Sequence, residues 1–198
     1  PLTAEIYWLL RHRDGSLNSR FSLNFLDQNL NEICSQVQAC RQNVRTGKKV
    51  FLFASLHIWL HHAAILGLGL AAEGHEVTLG YLPYFDWFTP INQFDLRRQN
   101  LYAQQVLKKA ESCIHTVSFL TTRAGYKTLP PELEARVAQV SRLDAQYTDQ
   151  VEMVDEKSPI FQLRQQRNLS AARSVFGWLE DNRPDVVIVP NGTIFEFG

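Results

Sequence analysis

The sequence predicts an α/β fold in which helices flank a parallel sheet. Residues 50–54 (VFLFA) form an unbroken apolar run, and residues 185–189 (DVVIV) carry four consecutive β-branched side chains. The first pattern is typical of a strand that is buried on both faces of a parallel sheet, and the second is typical of a β-strand. Helical segments separate these and two further strands, which is the alternation of a doubly wound, Rossmann-like fold. We expect this domain over residues 48–198, after an N-terminal helical extension over residues 1–47.

Apolar periodicity places the elements in order. Leu23, Leu26 and Leu30 lie at helical spacing and predict a first helix, and Gly47 follows its end. The predicted helices cover residues 21–44, 58–73, 94–112, 132–154 and 158–180. The predicted strands cover residues 50–54, 76–82, 115–120 and 185–189.

Local signals mark several helix ends. Gly74 ends the second helix, Pro130 and Pro131 start the fourth, and Ser158 caps the fifth. The strand, helix and strand between residues 50 and 82 form a βαβ unit, whose crossover is right-handed in nearly all proteins.

Composition excludes several classes of function. Of the 198 residues, 45% are hydrophobic, which is typical of a globular chain. The 20 basic and 20 acidic side chains cancel, so the chain has no basic field with which to bind nucleic acid. Cys34, Cys40 and Cys113 show neither a C-x-x-C motif nor metal-ligand spacing. We interpret them as bystander thiols in a reducing compartment.

The sequence predicts neither a membrane helix nor a signal peptide. No apolar run approaches the ~20 residues of a membrane helix, and residues 1–5 (PLTAE) do not start a signal peptide. We therefore expect a cytoplasmic protein. The first residue is a proline, and residue 198 closely follows the last strand, so we also expect the sequence to be part of a longer chain.

The first candidate site lies where the strand at 50–54 meets its helix, because ligands of parallel sheets bind at the carboxyl ends of strands. His57 is a candidate general base for a substrate hydroxyl, and Trp59 and His61 are candidate substrate contacts. His57 and His61 are four residues apart, but no third ligand accompanies them, so we predict no metal site. A structural or merely polar loop histidine is the alternative for His57.

The second candidate site follows the strand at 76–82. Tyr84, Asp86 and Trp87 combine aromatic faces with one carboxylate, which suits the C–H groups and hydroxyls of a sugar ring. The alternative is that these rings pack into the core or into a domain interface.

The third candidate site follows the last strand. Asn191 and Gly192 allow unusual backbone angles and close approach to a ligand, and Glu196 lies where a further helix would begin. An ordinary turn explains Asn191 and Gly192 equally well. The sequence has no G-x-G-x-x-G fingerprint in its first strand-to-helix turn and no Walker A motif, so we expect no dinucleotide cofactor.

Three stretches resemble the N-terminal half of GT-B-type glycosyltransferases, especially bacterial proteins of surface and capsular polysaccharide synthesis. They are residues 49–57 (KVFLFASLH), 71–79 (AAEGHEVTL) and 183–192 (RPDVVIVPNG). The second is similar to the helix-to-strand junction near the start of such enzymes. The third is similar to their strand that leads into a substrate loop.

The resemblance implies an acceptor-binding domain, with a second domain further along the chain that holds most of a nucleotide-sugar donor. His57 or Glu196 would assist deprotonation of a carbohydrate or lipid-linked acceptor, without a metal or other cofactor, and a lipid-linked acceptor implies peripheral membrane association. The domain alone would be inactive. A non-catalytic Rossmann-type domain that binds a ligand or a partner, and half of a nucleotide-sugar epimerase, are the alternatives. The oligomeric state stays open.

Overall fold

A computed structural model describes residues 21–41, 47–86, 89–121 and 127–189, together with Thr3, Ile6 and Leu10. The strands are β1 (Lys49–Leu56), β2 (Glu76–Tyr84), β3 (His115–Ser118) and β4 (Val186–Ile188). The helices are α1 (Asn24–Arg41), α2 (His57–Ala72), α3 (Gln93–Lys108), α4 (Pro131–Asp149) and α5 (Pro159–Asn182). The strands form one parallel sheet in the order β3-β2-β1-β4, which confirms the predicted α/β fold.

Strand β1 lies inside the sheet. It pairs with β2 on one edge and with β4 on the other, and Val50 has a partner in each. Every residue from Val50 to Leu56 is buried. Alternate side chains belong to opposite faces, as the pleat requires: Leu52 packs in the cluster with α1, α2 and α3, and Phe53 packs in the cluster with α5.

The two faces of the sheet are covered by different helices. Helices α2 and α3 connect β1, β2 and β3 on one face, and α1 packs against both of them through its buried stripe. Helices α4 and α5 form the connection from β3 to β4. Helix α5 packs on the other face of the sheet, and α4 packs against α5. The sheet is therefore doubly wound.

A buried ion pair joins α4 to α5. Arg164 Nη2 lies 3.1 Å from Asp144 Oδ1, and both side chains are fully buried. Arg164 Nη2 also donates to Thr148 Oγ1 at 2.8 Å. Burial raises the pKa of Asp144, and the charge of Arg164 opposes that rise. Removing one partner alone would leave an uncompensated buried charge and would strongly destabilise the protein.

The starts of the strands are joined by short hydrogen bonds. Lys48 N donates to His75 Nδ1 at 3.0 Å, and Lys49 N donates to Asp185 Oδ2 at 2.8 Å. Gly47 N donates to Gly74 O at 2.9 Å. A Cβ at Gly47 would lie 2.5 Å from His75 Nδ1, so this junction requires glycine.

Some element ends differ from the predicted ones. Helix α4 ends at Asp149 rather than at residue 154, because Gln150 adopts the left-handed conformation with φ of 51°. Strand β4 spans three residues, and Val187 is 46% exposed, since β4 lies at one edge of the described sheet. Among the described residues, no helix combines the length and the apolar character needed to cross a membrane.

Replacement by alanine at two glycines is expected to change the stability of the fold in opposite directions. A Cβ at Gly80 would lie 2.6 Å from the Phe119 ring and 2.7 Å from the Phe51 ring, whereas a Cβ at the exposed Gly69 of α2 meets nothing within 4 Å. We expect Gly80→Ala to lower the free energy of unfolding by about 1–3 kcal/mol through overpacking. Gly69→Ala should raise it by about 0.5–1 kcal/mol through helix propensity. Chemical denaturation measures both, and equal effects would contradict this account of the β2 face.

Candidate functional site

The carboxyl ends of β1 and β2 lie side by side. Leu56 pairs with Tyr84, so the residues that follow them, His57 and Phe85, are neighbours. Their rings are stacked, with centroids 5.6 Å apart and an interplanar angle of 22°. The ring centroid of Phe21 lies 6.0 Å from that of His57, and the angle between the two ring planes is 57°. We call His57, Phe85 and Phe21 the His57 cluster.

The environment of His57 favours the neutral form of its ring. Burial lowers its pKa below the ordinary 6.5, and the charge of nearby His61 adds to this effect. A hydrogen bond between the ring and the Phe85 backbone opposes the shift. Nδ1 of His57 is buried and has no hydrogen-bond partner among the described residues. A buried polar atom of this kind costs about 1–3 kcal/mol.

His61 has a structural contact. One of its nitrogens, Nε2, lies 2.9 Å from Ser22 O, and because a carbonyl only accepts, Nε2 carries the proton. His61 thereby holds the segment before α1 against α2, with the Phe25 ring 6.4 Å away. Trp59 is half-buried and packs against both core clusters. No three His, Cys, Asp or Glu side chains in the described part of the chain are grouped as metal ligands.

Tyr84 and Asp86 contact a different helix. Arg167 of α5 donates from Nη1 to Asp86 O at 3.1 Å and from Nη2 to Thr89 O at 2.8 Å. Its guanidinium lies 4.6 Å from the centroid of the Tyr84 ring, which is 8% exposed. Asp86 Oδ1 accepts from Thr89 N at 2.6 Å and closes a turn. Arg167 therefore fixes the loop after β2, and burial lowers the pKa of its guanidinium.

The structure thus brings His57 and Phe85 together and places Tyr84 and Asp86 against Arg167. Trp87, Asn191, Gly192 and Glu196 lie outside the described residues.

Sequence reasoning missed Arg167 and Phe21. The sequence did contain one signal for Arg167. This charged residue lies on the same face of α5 as Phe161, Arg164 and Ala171, which are all buried.

The cysteines contribute no nucleophile at this site. Cys34 and Cys113 are buried where α1 meets the end of α3, and Cys113 Sγ lies 3.6 Å from Cys34 O. Burial and the neighbouring Cys113 raise the pKa of the Cys34 thiol to about 12. The thiol is therefore protonated and unreactive at neutral pH.

Comparisons with known proteins yield little. No family model and no curated protein matches the chain. Among solved structures, the crystal structure of the PvcA protein from Pseudomonas aeruginosa aligns with a TM-score of 0.40 and 11% sequence identity. The alignment covers 88% of this chain and 77% of that chain. This similarity is too low to carry an argument about function.

The lowered pKa of His57 predicts a pH dependence of stability. As pH falls through 6.5, the unfolded chain binds a proton at this position that the folded chain does not, so the folded state loses stability until the pH reaches the lower pKa of the folded state. His57→Gln should remove this part of the loss. Denaturation between pH 5 and 8 measures it, with exposed His62→Gln as the matched control. Parallel pH profiles for wild type and His57→Gln would contradict the burial of a neutral ring.

The contacts of Arg167 predict a large effect of its removal. Arg167→Met keeps most of the aliphatic stem but loses two charge-assisted hydrogen bonds and the contact with Tyr84, so we expect a loss of about 2–4 kcal/mol. Arg173→Met removes a partly exposed ion pair with Glu134 and should cost less than about 1 kcal/mol. Chemical denaturation and hydrogen exchange of residues 84–89 measure the difference. Unchanged exchange there would show that Arg167 does not fix this loop.

Proposed function

We propose that this chain is the acceptor-binding half of a glycosyltransferase that moves a sugar from a nucleotide-sugar donor to a carbohydrate or lipid-linked acceptor. The observation that carries the proposal is His57: a neutral imidazole with an unpartnered, buried Nδ1 among the described residues, at the carboxyl end of an interior strand. Parallel sheets bind ligands at this edge. The GT-B resemblance of residues 49–57 supports the same assignment.

In this proposal His57 acts as the general base. An acceptor hydroxyl donates to a ring nitrogen of His57, and its proton passes to that nitrogen as the oxygen attacks the anomeric carbon of the donor sugar. The bond from that carbon to the diphosphate breaks, and the nucleotide diphosphate leaves. The donor is held by the second domain that the resemblance implies. A ring that is neutral at pH 7 can take the proton, whereas an imidazolium cannot.

The aromatic members of the His57 cluster support a sugar as the acceptor. Phe85 is 36% exposed, so part of its ring can contact a ligand. Phe21 is fully buried, and its ring packs against His57. Sugar C–H groups pack well on aromatic faces. Trp87, Asn191, Gly192 and Glu196 remain predicted contacts.

The proposal also includes cytoplasmic localisation and peripheral association with a membrane that presents lipid-linked acceptors. Three free cysteines, of which Cys40 is exposed, suit a reducing compartment.

A non-catalytic domain that binds a ligand or partner is the second candidate. The observation that favours it is that two predicted substrate contacts already have protein partners. His61 contacts Ser22 O, and Asp86 contacts Thr89 N. A domain that only binds needs no proton acceptor. The dependence of ligand binding on the protonation of His57 therefore distinguishes the two candidate functions.

The test is a titration of the 198-residue chain with a panel of mono- and disaccharides, followed by amide and histidine NMR resonances. We expect an acceptor sugar to perturb His57 and Phe85, and to bind at pH 7 but more weakly as pH falls below 6.5 through the lowered pKa of His57. His57→Gln should weaken binding about tenfold, which corresponds to one lost hydrogen bond to a buried group.

His62→Gln provides the control, because His62 lies on the same helix but is exposed. If the affinity for the sugar changes neither with pH nor in His57→Gln, the result would favour the non-catalytic domain. If no sugar perturbs the His57 cluster, the proposed acceptor site is wrong.

A further inference from the structure

A cavity lies on the opposite face of the sheet from α1, α2 and α3. It has a volume of about 300 Å³, is open to solvent on one side and is lined by β1, α4 and α5 together with Val189. Its walls are almost entirely apolar, with Phe53 from β1, Val137 and Val140 from α4, and Phe176 from α5. An open apolar cavity of this size is a candidate binding site.

The position of the cavity in the sheet matches that of a ligand site. Phe53 lies on β1 and Val189 directly follows β4, and these two strands are neighbours although they are first and last along the chain. The chain order reverses between them. In open α/β sheets the crevice at such a reversal, beyond the carboxyl ends of the strands, is the usual place for a ligand.

One charge accompanies the apolar walls. Arg136 of α4 is the charged member of the lining, and it is exposed. Among the described residues no hydrogen bond or ion pair engages it, whereas Arg142 on the same helix pairs with Glu156 at 2.7 Å. An unpaired guanidinium at the edge of an apolar cavity complements a ligand that has an apolar body and an anionic end.

We propose that this cavity binds a small amphipathic carboxylate, with its apolar body between α4 and α5 and its carboxylate at Arg136. An apolar cavity of about 150 Å³ holds one benzene ring, so twice that volume accommodates roughly ten carbon atoms. A medium-chain fatty acid and a bicyclic aromatic acid share this chemistry. The site is independent of the His57 cluster, which lies on the α1 side, and of the proposed transfer reaction.

Calorimetric titration of the whole chain with hexanoate, octanoate, decanoate, dodecanoate and 2-naphthoate tests the proposal. Each added methylene should tighten binding by roughly fourfold while the cavity fills, and the gain should stop near ten carbons. Tighter binding of naphthoate than of decanoate would identify an aromatic ligand, and the reverse would identify an acyl chain.

Two kinds of variant locate the ligand. Ala172→Phe places a ring in the cavity and should weaken binding more than tenfold, and Val140→Phe fills it from the facing helix. Arg136→Gln should weaken decanoate about fivefold and leave decanol unchanged. Exposed Arg97→Gln on α3 is the matched control and should have no effect. Circular dichroism confirms that each variant is folded.

Three results would overturn the proposal. They are an affinity that does not depend on chain length, unchanged binding in folded Ala172→Phe and Val140→Phe, and an equal effect of Arg136→Gln and Arg97→Gln. The first two would show that the apolar cavity is not the site. The third would show that the ligand has no anionic contact at Arg136.

Discussion

Strand β1 has a paired neighbour on each edge and a layer of helices on each face, and the other parts of the structure are arranged around this double burial. Every residue from Val50 to Leu56 must fit a closed interior, so the strand can carry almost no chemistry of its own. The first position with a free choice of side chain is the one where the chain leaves the sheet, and His57 occupies it. The position of a reactive group there follows from packing.

Contacts from distant parts of the chain then hold the two loops at this edge. His61 fixes the segment before α1, which supplies Phe21, and Arg167 of α5 fixes the loop that supplies Phe85. The two supports approach from opposite faces of the sheet. The geometry of the His57 cluster is therefore determined jointly by α1, which precedes β1, and by α5, which lies much further along the chain.

The sequence was sufficient for the parallel sheet, because apolar runs and helix-ending glycines are local signals that this fold requires. The neighbourhood of His57 and Phe85 also follows from the sequence, since consecutive parallel strands of a βαβ unit usually pair. Arg167, the buried Arg164–Asp144 pair and the cavity beside Val189 could not be predicted, because each depends on how α4 and α5 are oriented on the sheet. Periodicity also does not indicate that β4, with its β-branched residues, has Val187 half-exposed at an edge.

The bond between Lys49 and Asp185 also bears on the route by which the chain folds. It joins residues 136 apart, whereas the bond between Lys48 and His75 spans 27. Closing the shorter loop costs less chain entropy, so the β1–β2 unit can form early and offer β1 as a template. Strand β4 would pair with β1 only after α4 and α5, which precede it in the chain, have packed on the second face of the sheet. The cavity beside β1 and β4 would thus be the last part of the domain to take shape and the first to open when the protein unfolds.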